Sequence, residues 1–253
     1  MIDSSTIYVI GDTQCKESVK NPLLVIAEHI CEIKPSYVIH LGDHWDMPSL
    51  SQYDKGKKSH RVKTYLKDMV VGNIAMEEFW KIIKKRWKRF DKDCQWIILT
   101  GNHEDRRRKA LEYGPDELID LMEQLTFDYT NWTEVLPFLE VKTIRGIEFS
   151  HYFQNDGSAR PIGTARQLLL RRHVSCVAGH KQGFDYAEML QGSNNTIQSI
   201  IAGSSYYHNE EYKTHTNHHW RGSVLLYNIS NKTGFDYARY SLETLDGFYE
   251  KNS

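Results

Sequence analysis

Several features are scarce in this chain, and each scarcity narrows what the protein can be. Four cysteines, Cys15, Cys31, Cys94 and Cys176, are scattered through 253 residues without a paired spacing. That pattern argues against a disulfide framework and for reduced, buried thiols. No apolar run approaches the roughly 20 residues that a membrane helix needs, and a strand-like run begins almost at the N-terminus. Neither a signal peptide nor a membrane span is expected, and a cytoplasmic location is. Charge of one sign is not in surplus, since 32 Lys plus Arg oppose 33 Asp plus Glu. Any affinity for a polyanion must therefore come from where the charges sit. No repeat, low-complexity tract or linker divides the chain, so one domain over residues 1–253 is expected, with a substantial core.

The apolar pattern alternates helix and strand early and turns to paired strands late. Residues 7–10 and 37–41 are short β-rich apolar runs, each ending in Gly-Asp. Between them Leu23, Ile26, Ala27, Ile30 and Ile33 recur at helical spacing, with Asn21 as cap, Pro22 at the first helical position and Pro35 as stop. Strand, helix, strand with an acid at each strand end is how open α/β sheets place their sites. Residues 61–90 carry a heptad-like seam through Leu66, Met69, Asn73, Met76, Trp80 and Ile83. Asn73 at an a position would suit a homodimer through this helix. Val70, Val71, Ile74, Ala75, Phe79 and Ile82 widen the apolar face, which favours packing within the chain. Helices are expected at 104–111, 115–125 and 162–172, a hairpin at 140–144 and 146–150, and strands at 96–99, 174–178, 186–190, 196–202, 222–229 and 235–242.

Five polar blocks follow apolar segments: Gly11-Asp12-Thr13-Gln14, Gly42-Asp43-His44, Gly101-Asn102-His103-Glu104, Ser150-His151 and Gly179-His180-Lys181-Gln182. Singly, each has a bland reading as a turn, a cap or a satisfied histidine. In this order they resemble the calcineurin-like metallophosphoesterase superfamily, over roughly residues 6–205, with the β segments of 222–242 beyond. Gln14 and Gln182 stand where that family usually has histidines. The combination of Asp-Thr-Gln, Gly-Asp-His-Trp-Asp-Met-Pro-Ser and a later His-Trp-Arg-Gly looks most like its phage-encoded branch, which would place the protein in a host-cell cytoplasm.

The resemblance implies an α/β fold, a sandwich of two mixed β-sheets flanked by α-helices, and a pair of divalent metal ions. Asp12, Gln14, Asp43 and Gln182 would hold one metal, and Asp43, Asn102, His151 and His180 the other. Such a pair clamps a phosphate and activates water. His103 would act on the leaving-group oxygen, with Glu104 orienting it. Amide oxygens at Gln14 and Gln182 make the first site all-oxygen, so Mn²⁺ is the expected metal, with Mg²⁺, Zn²⁺, Fe or Ni²⁺ as alternatives.

Arg106, Asn155 and Arg160 are candidate phosphate contacts. His208, His215, His218 and His219 crowd a polar segment but match no compact ligand pattern. Lys55, Lys57, Lys58, Arg61 and Lys63 follow one block, and Arg106, Arg107, Arg108 and Lys109 follow another. A basic rim of that kind would attract DNA or RNA. The expected function is a two-metal phosphodiesterase or nuclease. A phosphomonoesterase, a cyclic-nucleotide phosphodiesterase and a catalytically lapsed interaction scaffold are the alternatives.

Overall fold

The computed structural model describes residues 4–51, 64–113, 116–209, 219–230 and 234–249. In chain order the strands are β1 (Ile7–Ile10), β2 (Tyr37–His40), β3 (Gln95–Leu99), β4 (Glu134–Leu136), β5 (Lys142–Ile144), β6 (Ile147–Ser150), β7 (Cys176–Ala178), β8 (Phe184–Gln191), β9 (Asn195–Ala202), β10 (Gly222–Ser230) and β11 (Gly234–Ser241). The helices are α1 (Leu23–Ile33), α2 (Tyr65–Arg86), α3 (Phe90–Asp93), α4 (Asp105–Tyr113), α5 (Asp116–Gln124), α6 (Ala165–Arg172) and α7 (Leu242–Tyr249).

β1 is buried along its whole length because it is covered on both faces. Ile7 and Val9 point into the core between two sheets, while Tyr8 and Ile10 point outward into a core shared with helices. Period-two alternation divides β3 likewise, with Ile97 and Leu99 inside and Trp96 and Ile98 outside. This double coverage explains why the strands read as continuous apolar runs. One sheet has the order β11-β10-β1-β2-β3-β4 and the other β5-β6-β7-β9-β8. β1 to β4 run parallel, as do β6, β7 and β9, with antiparallel strands at the margins. Both sheets are thus mixed, with helices outside, as the sequence resemblance implied.

Three elements differ most from the sequence reading, while others shift by a few residues at their ends. The run at 61–90 breaks at Trp87, whose backbone is extended, and Phe90 starts a separate short helix whose ring packs on Trp80 and Trp96. Residues 61–63 lie outside the described residues. β4 and α7 were not anticipated. A three-residue strand carries too little alternation to register, and α7 follows β11 without a break. Elsewhere the local signals hold: the Asn21 side chain accepts from Leu23 N–H, and Thr164 caps α6 by accepting from Gln167 N–H.

Helix α2 packs on its own chain through Met69, Met76, Phe79, Trp80 and Ile83, leaving Leu66, Val70 and Ile74 exposed. Asn73, the candidate register residue, is engaged internally. Its Oδ1 accepts from Trp45 Nε1 (2.9 Å) and Asp128 N, and its Nδ2 donates to Thr126 O.

Gly72 is explained by the same contact. A Cβ there would stand 2.0 Å from Trp45 Cδ1, and Trp45 is fully buried. Helix propensity alone favours alanine over glycine by about 1 kcal/mol. Gly72→Ala is nevertheless expected to destabilise the protein by about 1 to 3 kcal/mol, because the overpacked Trp45 ring must move. Denaturant unfolding checks this, and an unchanged or raised midpoint would show that the ring yields freely.

Candidate metal centre

The polar blocks leave the carboxyl ends of β1, β2, β3, β6 and β7, and the packing of the two sheets brings those ends together. Asp12 follows β1 and Asp43 follows β2. Residues 102–104 follow β3, His151 follows β6 and His180 follows β7. Leaving a strand this abruptly requires unusual backbone. Gln14, Asp43 and His180 all have positive φ, at 35°, 53° and 64°, the left-handed region that non-glycine residues occupy at a cost. At the closest approach only glycine fits: a Cβ on Gly101 would lie 2.1 Å from Asp43 Oδ1.

Asp43 is the centre of the cluster. Its Oδ1 accepts from the His103 backbone N–H (2.9 Å), and its Oδ2 lies 3.4 Å from His151 Nε2 and 3.7 Å from His103 Nε2. His151 Nδ1 donates to Leu41 O (2.8 Å), so its Nε2 carries a lone pair. That lone pair faces Asn102 Oδ1 at 2.9 Å as well as Asp43. Three acceptors converge with nothing between them to donate, an arrangement a cation relieves. Ligand atoms of Asp43, His151 and His180 lie within 4.8 Å of one another, and they form the only such cluster of His, Cys, Asp and Glu among the described residues.

The other proposed site has its own signature. Asp12 Oδ1 accepts from His180 N–H (3.0 Å), but Asp12 Oδ2 and Gln14 Oε1 are buried without a hydrogen-bond partner. Buried orphan oxygens are costly, and two on one loop fit a hard cation. Gln182 is buried nearby in sequence, with its backbone carbonyl accepting from Trp220 N–H.

Charge follows from this crowding. Burial opposes ionisation of Asp43, but His103, His151 and His180 hold its carboxyl below the usual range. Burial and the Asp43 charge push Asp12 up. Burial lowers His151, and burial with His151 beside it lowers His180 to about 4, which keeps both imidazoles neutral for ligation. His103 goes the other way: burial opposes its charge, yet Asp43 and Asp46 raise it to about 9.

Two expected roles are corrected. Glu104 does not orient His103. Its Oε1 accepts from His44 N (2.6 Å) and Trp45 N (3.0 Å), and its Oε2 from Asp43 N (2.9 Å) and Gly101 N (2.8 Å). It clamps the two loops that carry Asp43 and Asn102. Orientation of His103 falls to Asp46, whose carbonyl lies 2.7 Å and whose Oδ1 lies 3.1 Å from His103 Nδ1. The aspartate at position 46 was legible only as an acid near a metal block. Arg106 is likewise partly engaged within the chain, its Nη1 donating to Asp46 O and Met47 O. Asn155 closes its own loop through Arg160 O and Pro161 O, and Arg160 is exposed on that loop.

The basic segment after β3 also finds partners within the chain, although Arg108 and Lys109 remain exposed. Arg107 donates to Tyr65 Oη and Met122 O, while Arg108 and Lys109 pair with Asp105. Lys55, Lys57, Lys58, Arg61 and Lys63 lie outside the described residues, as do His215 and His218. His208 stacks on Tyr206.

Because four N–H groups converge on one carboxylate, Glu104→Gln places an amide NH₂ against donors. We expect a loss of about 2 to 4 kcal/mol in metal-free protein, read by denaturant unfolding in chelator. A loss below about 0.5 kcal/mol would mean the loops hold themselves.

Gene 54 protein of Mycobacterium phage L5 is 24% identical over 204 residues, 77% of this chain and 76% of that protein. Among solved structures, wild-type Vps29 complexed with Zn²⁺ from Entamoeba histolytica is 14% identical, spans 94% of this chain and 99% of that one, and superposes with a TM-score of 0.43. A single-substitution variant of that Vps29 is 11% identical with a TM-score of 0.40. The profile of the calcineurin-like phosphoesterases matches residues 5–238, and the chain belongs to that family.

Proposed function

We propose that the protein is a metal-dependent phosphodiesterase acting on nucleic-acid or nucleotide diesters. One observation carries the reading: the Asp43 carboxylate lies between a neutral ligand cluster on one side and a cationic imidazole, His103, on the other. Asp12, Gln14, Asp43 and Gln182 would hold one divalent ion and Asp43, Asn102, His151 and His180 a second. Bound there, the ions would supply Lewis acidity and a water acidic enough to attack phosphorus.

The chain's own residues do the rest. Asp46 occupies His103 Nδ1, so the proton available to substrate is on Nε2, on the Asp43 side. As water attacks and the ester P–O bond breaks, Nε2–H passes its proton to the departing oxygen. Two carboxylates raise the imidazole far enough to keep that proton until the leaving group needs it; cations beside Asp43 would offset part of this rise. A double hold on Nδ1 also counts against a lapsed scaffold, which has no use for a fixed non-ligand imidazole.

The diester is favoured over the monoester by charge. A monoester brings a second negative charge, and Arg106, the arginine placed to meet it, turns its Nη1 to two backbone carbonyls instead. For polynucleotide binding, the support is the basic run at 55–63.

The testing experiment strips the protein of metal, resupplies one cation at a time, and assays DNA, RNA, nucleotides and aryl phosphate mono- and diesters. Hydrolysis confined to monoesters, or none with any cation, refutes the proposal. His103→Ala should lower turnover by about a hundredfold or more while leaving metal content near that of the parent, whereas Asp43→Asn should lose metal. Equal metal loss in both would overturn the division of roles. Mn²⁺ should support activity best, and Gln14→His with Gln182→His should tighten the first site and move its preference towards Zn²⁺. Should titration find two equal high-affinity Zn²⁺ sites in the parent, unchanged in the double variant, the glutamines are not ligands.

A further inference from the structure

Thr13, His40 and His44 are fully buried and belong to none of the ligand sets above. Their hydrogen bonds have only one consistent direction. The Gly42 backbone N–H can only donate, and it points at His40 Nδ1 (3.1 Å). That nitrogen is therefore bare, and His40 Nε2 carries the proton, which it gives to Thr13 Oγ1 (3.1 Å). Having accepted, the Thr13 hydroxyl donates its own proton to His44 Nδ1 (2.7 Å). The Cys15 thiol, 3.8 Å from the same nitrogen, is a second and weaker donor to it, which leaves that nitrogen an acceptor. His44 Nε2–H then donates to Gly72 O (2.9 Å) in helix α2. The carbonyl of Gly72 ends the chain. Both rings are neutral, as burial requires.

The placement of this chain gives it a consequence. Thr13 lies between Asp12 and Gln14, the two residues with orphaned oxygens. His40 ends β2 and His44 directly follows Asp43 on the neighbouring loop. Backbone bonds from Thr13 N (3.2 Å) and Gln14 N (2.9 Å) to Asp43 O, and from Cys15 N (2.9 Å) to His44 O, tie the same loops along their edges, and none of them reaches the side chains that would hold a metal. The Thr13 hydroxyl adds side-chain ties to these backbone ones, to the end of β2 through His40 and to α2 through His44. It does so one residue from Asp12 on one side and from Gln14, with its strained φ of 35°, on the other.

We propose that the Thr13–His40–His44 chain is a positioning device for the first metal, setting Asp12 and Gln14 against Asp43, with Thr13 as its pivotal residue. The inference rests on the metal-site reading of the proposed function but not on the identity of the substrate. Hydroxyl chemistry is what matters at position 13. Valine has the right shape but can neither accept nor donate, while serine keeps both capacities and loses only a methyl group.

The test is Mn²⁺ and Zn²⁺ titration of the metal-free full chain by calorimetry, with denaturant unfolding alongside, on the parent, Thr13→Val and Thr13→Ser. For Thr13→Val we expect one of the two binding events to weaken by about tenfold or more, with the other within about twofold. Turnover should fall at low metal and recover as metal is raised, with KM little changed. Thr13→Ser should stay within about threefold of the parent for both events. If Thr13→Val fails to fold, His44→Asn against His44→Leu poses the same question: asparagine offers Thr13 an acceptor and should retain the first metal, and leucine should not.

Unaltered binding in Thr13→Val overturns the proposal. So does loss of both events together in Thr13→Val and Thr13→Ser alike with a lowered unfolding midpoint, which would leave only packing. A parent that binds a single ion removes its premise. Two-metal binding with no hydrolysis of any phosphodiester would refute the proposed function and leave this inference standing.

Discussion

Four backbone N–H groups converge on the Glu104 carboxylate, and the geometry of the site depends on that convergence. The donors come from Asp43, His44 and Trp45 on the loop after β2, and from Gly101 on the loop after β3. Without an acceptor these groups would be buried and unpaired, since no strand or helix supplies partners at a sharp exit from a parallel sheet. One anion satisfies all four and brings the two loops into contact. Gly101 is then forced to be glycine, because the clamp draws Asp43 into the space a side chain would need.

The clamp places a negative charge beneath another carboxylate, which needs compensation. Asp12, Asp43 and Glu104 are all buried, and burial drives the carboxyls of Asp12 and Glu104 upward, Glu104 to about 7. His103 supplies one positive charge. Two neutral imidazoles, an amide oxygen and two orphaned oxygens supply lone pairs but no positive charge. Such a cluster is poor as a core and good as a cage for cations, and membership of a phosphoesterase family agrees with that electrostatic reading. Three left-handed residues at the strand exits are the backbone cost of aiming the ligands inward.

The cationic run Arg106-Arg107-Arg108-Lys109 shows how misleading a local charge count can be. In sequence it is a rim for polyanions. In the fold Arg107 ties α2 to α5 through Tyr65 and Met122, Arg108 and Lys109 sit on Asp105, and Arg106 braces the Asp46 turn. Long side chains reach whatever acceptors the tertiary structure offers, and here those acceptors are the protein's own. The electrostatic case for a polyanion therefore moves to the lysines of residues 55–63 and to His103.

Sequence alone determined the strands of both sheets except the three-residue β4, because strands covered on two faces must be apolar and the acids and histidines that interrupt them must fall at their ends. It also determined the metal-ligand candidates, since residue type and order carry that chemistry whatever the surroundings. What it could not determine is which partner each side chain takes. Glu104 and His103 are adjacent, so a direct relation between them was the natural reading. Their true partners, the backbone of residues 43–45 for one and Asp46 for the other, are about sixty residues away in the chain. The Thr13–His40–His44 chain was invisible for the same reason. Periodicity reports which face a residue occupies and spacing reports which ligands recur, but the direction of a buried hydrogen bond depends on donors and acceptors that only tertiary packing brings within 3 Å.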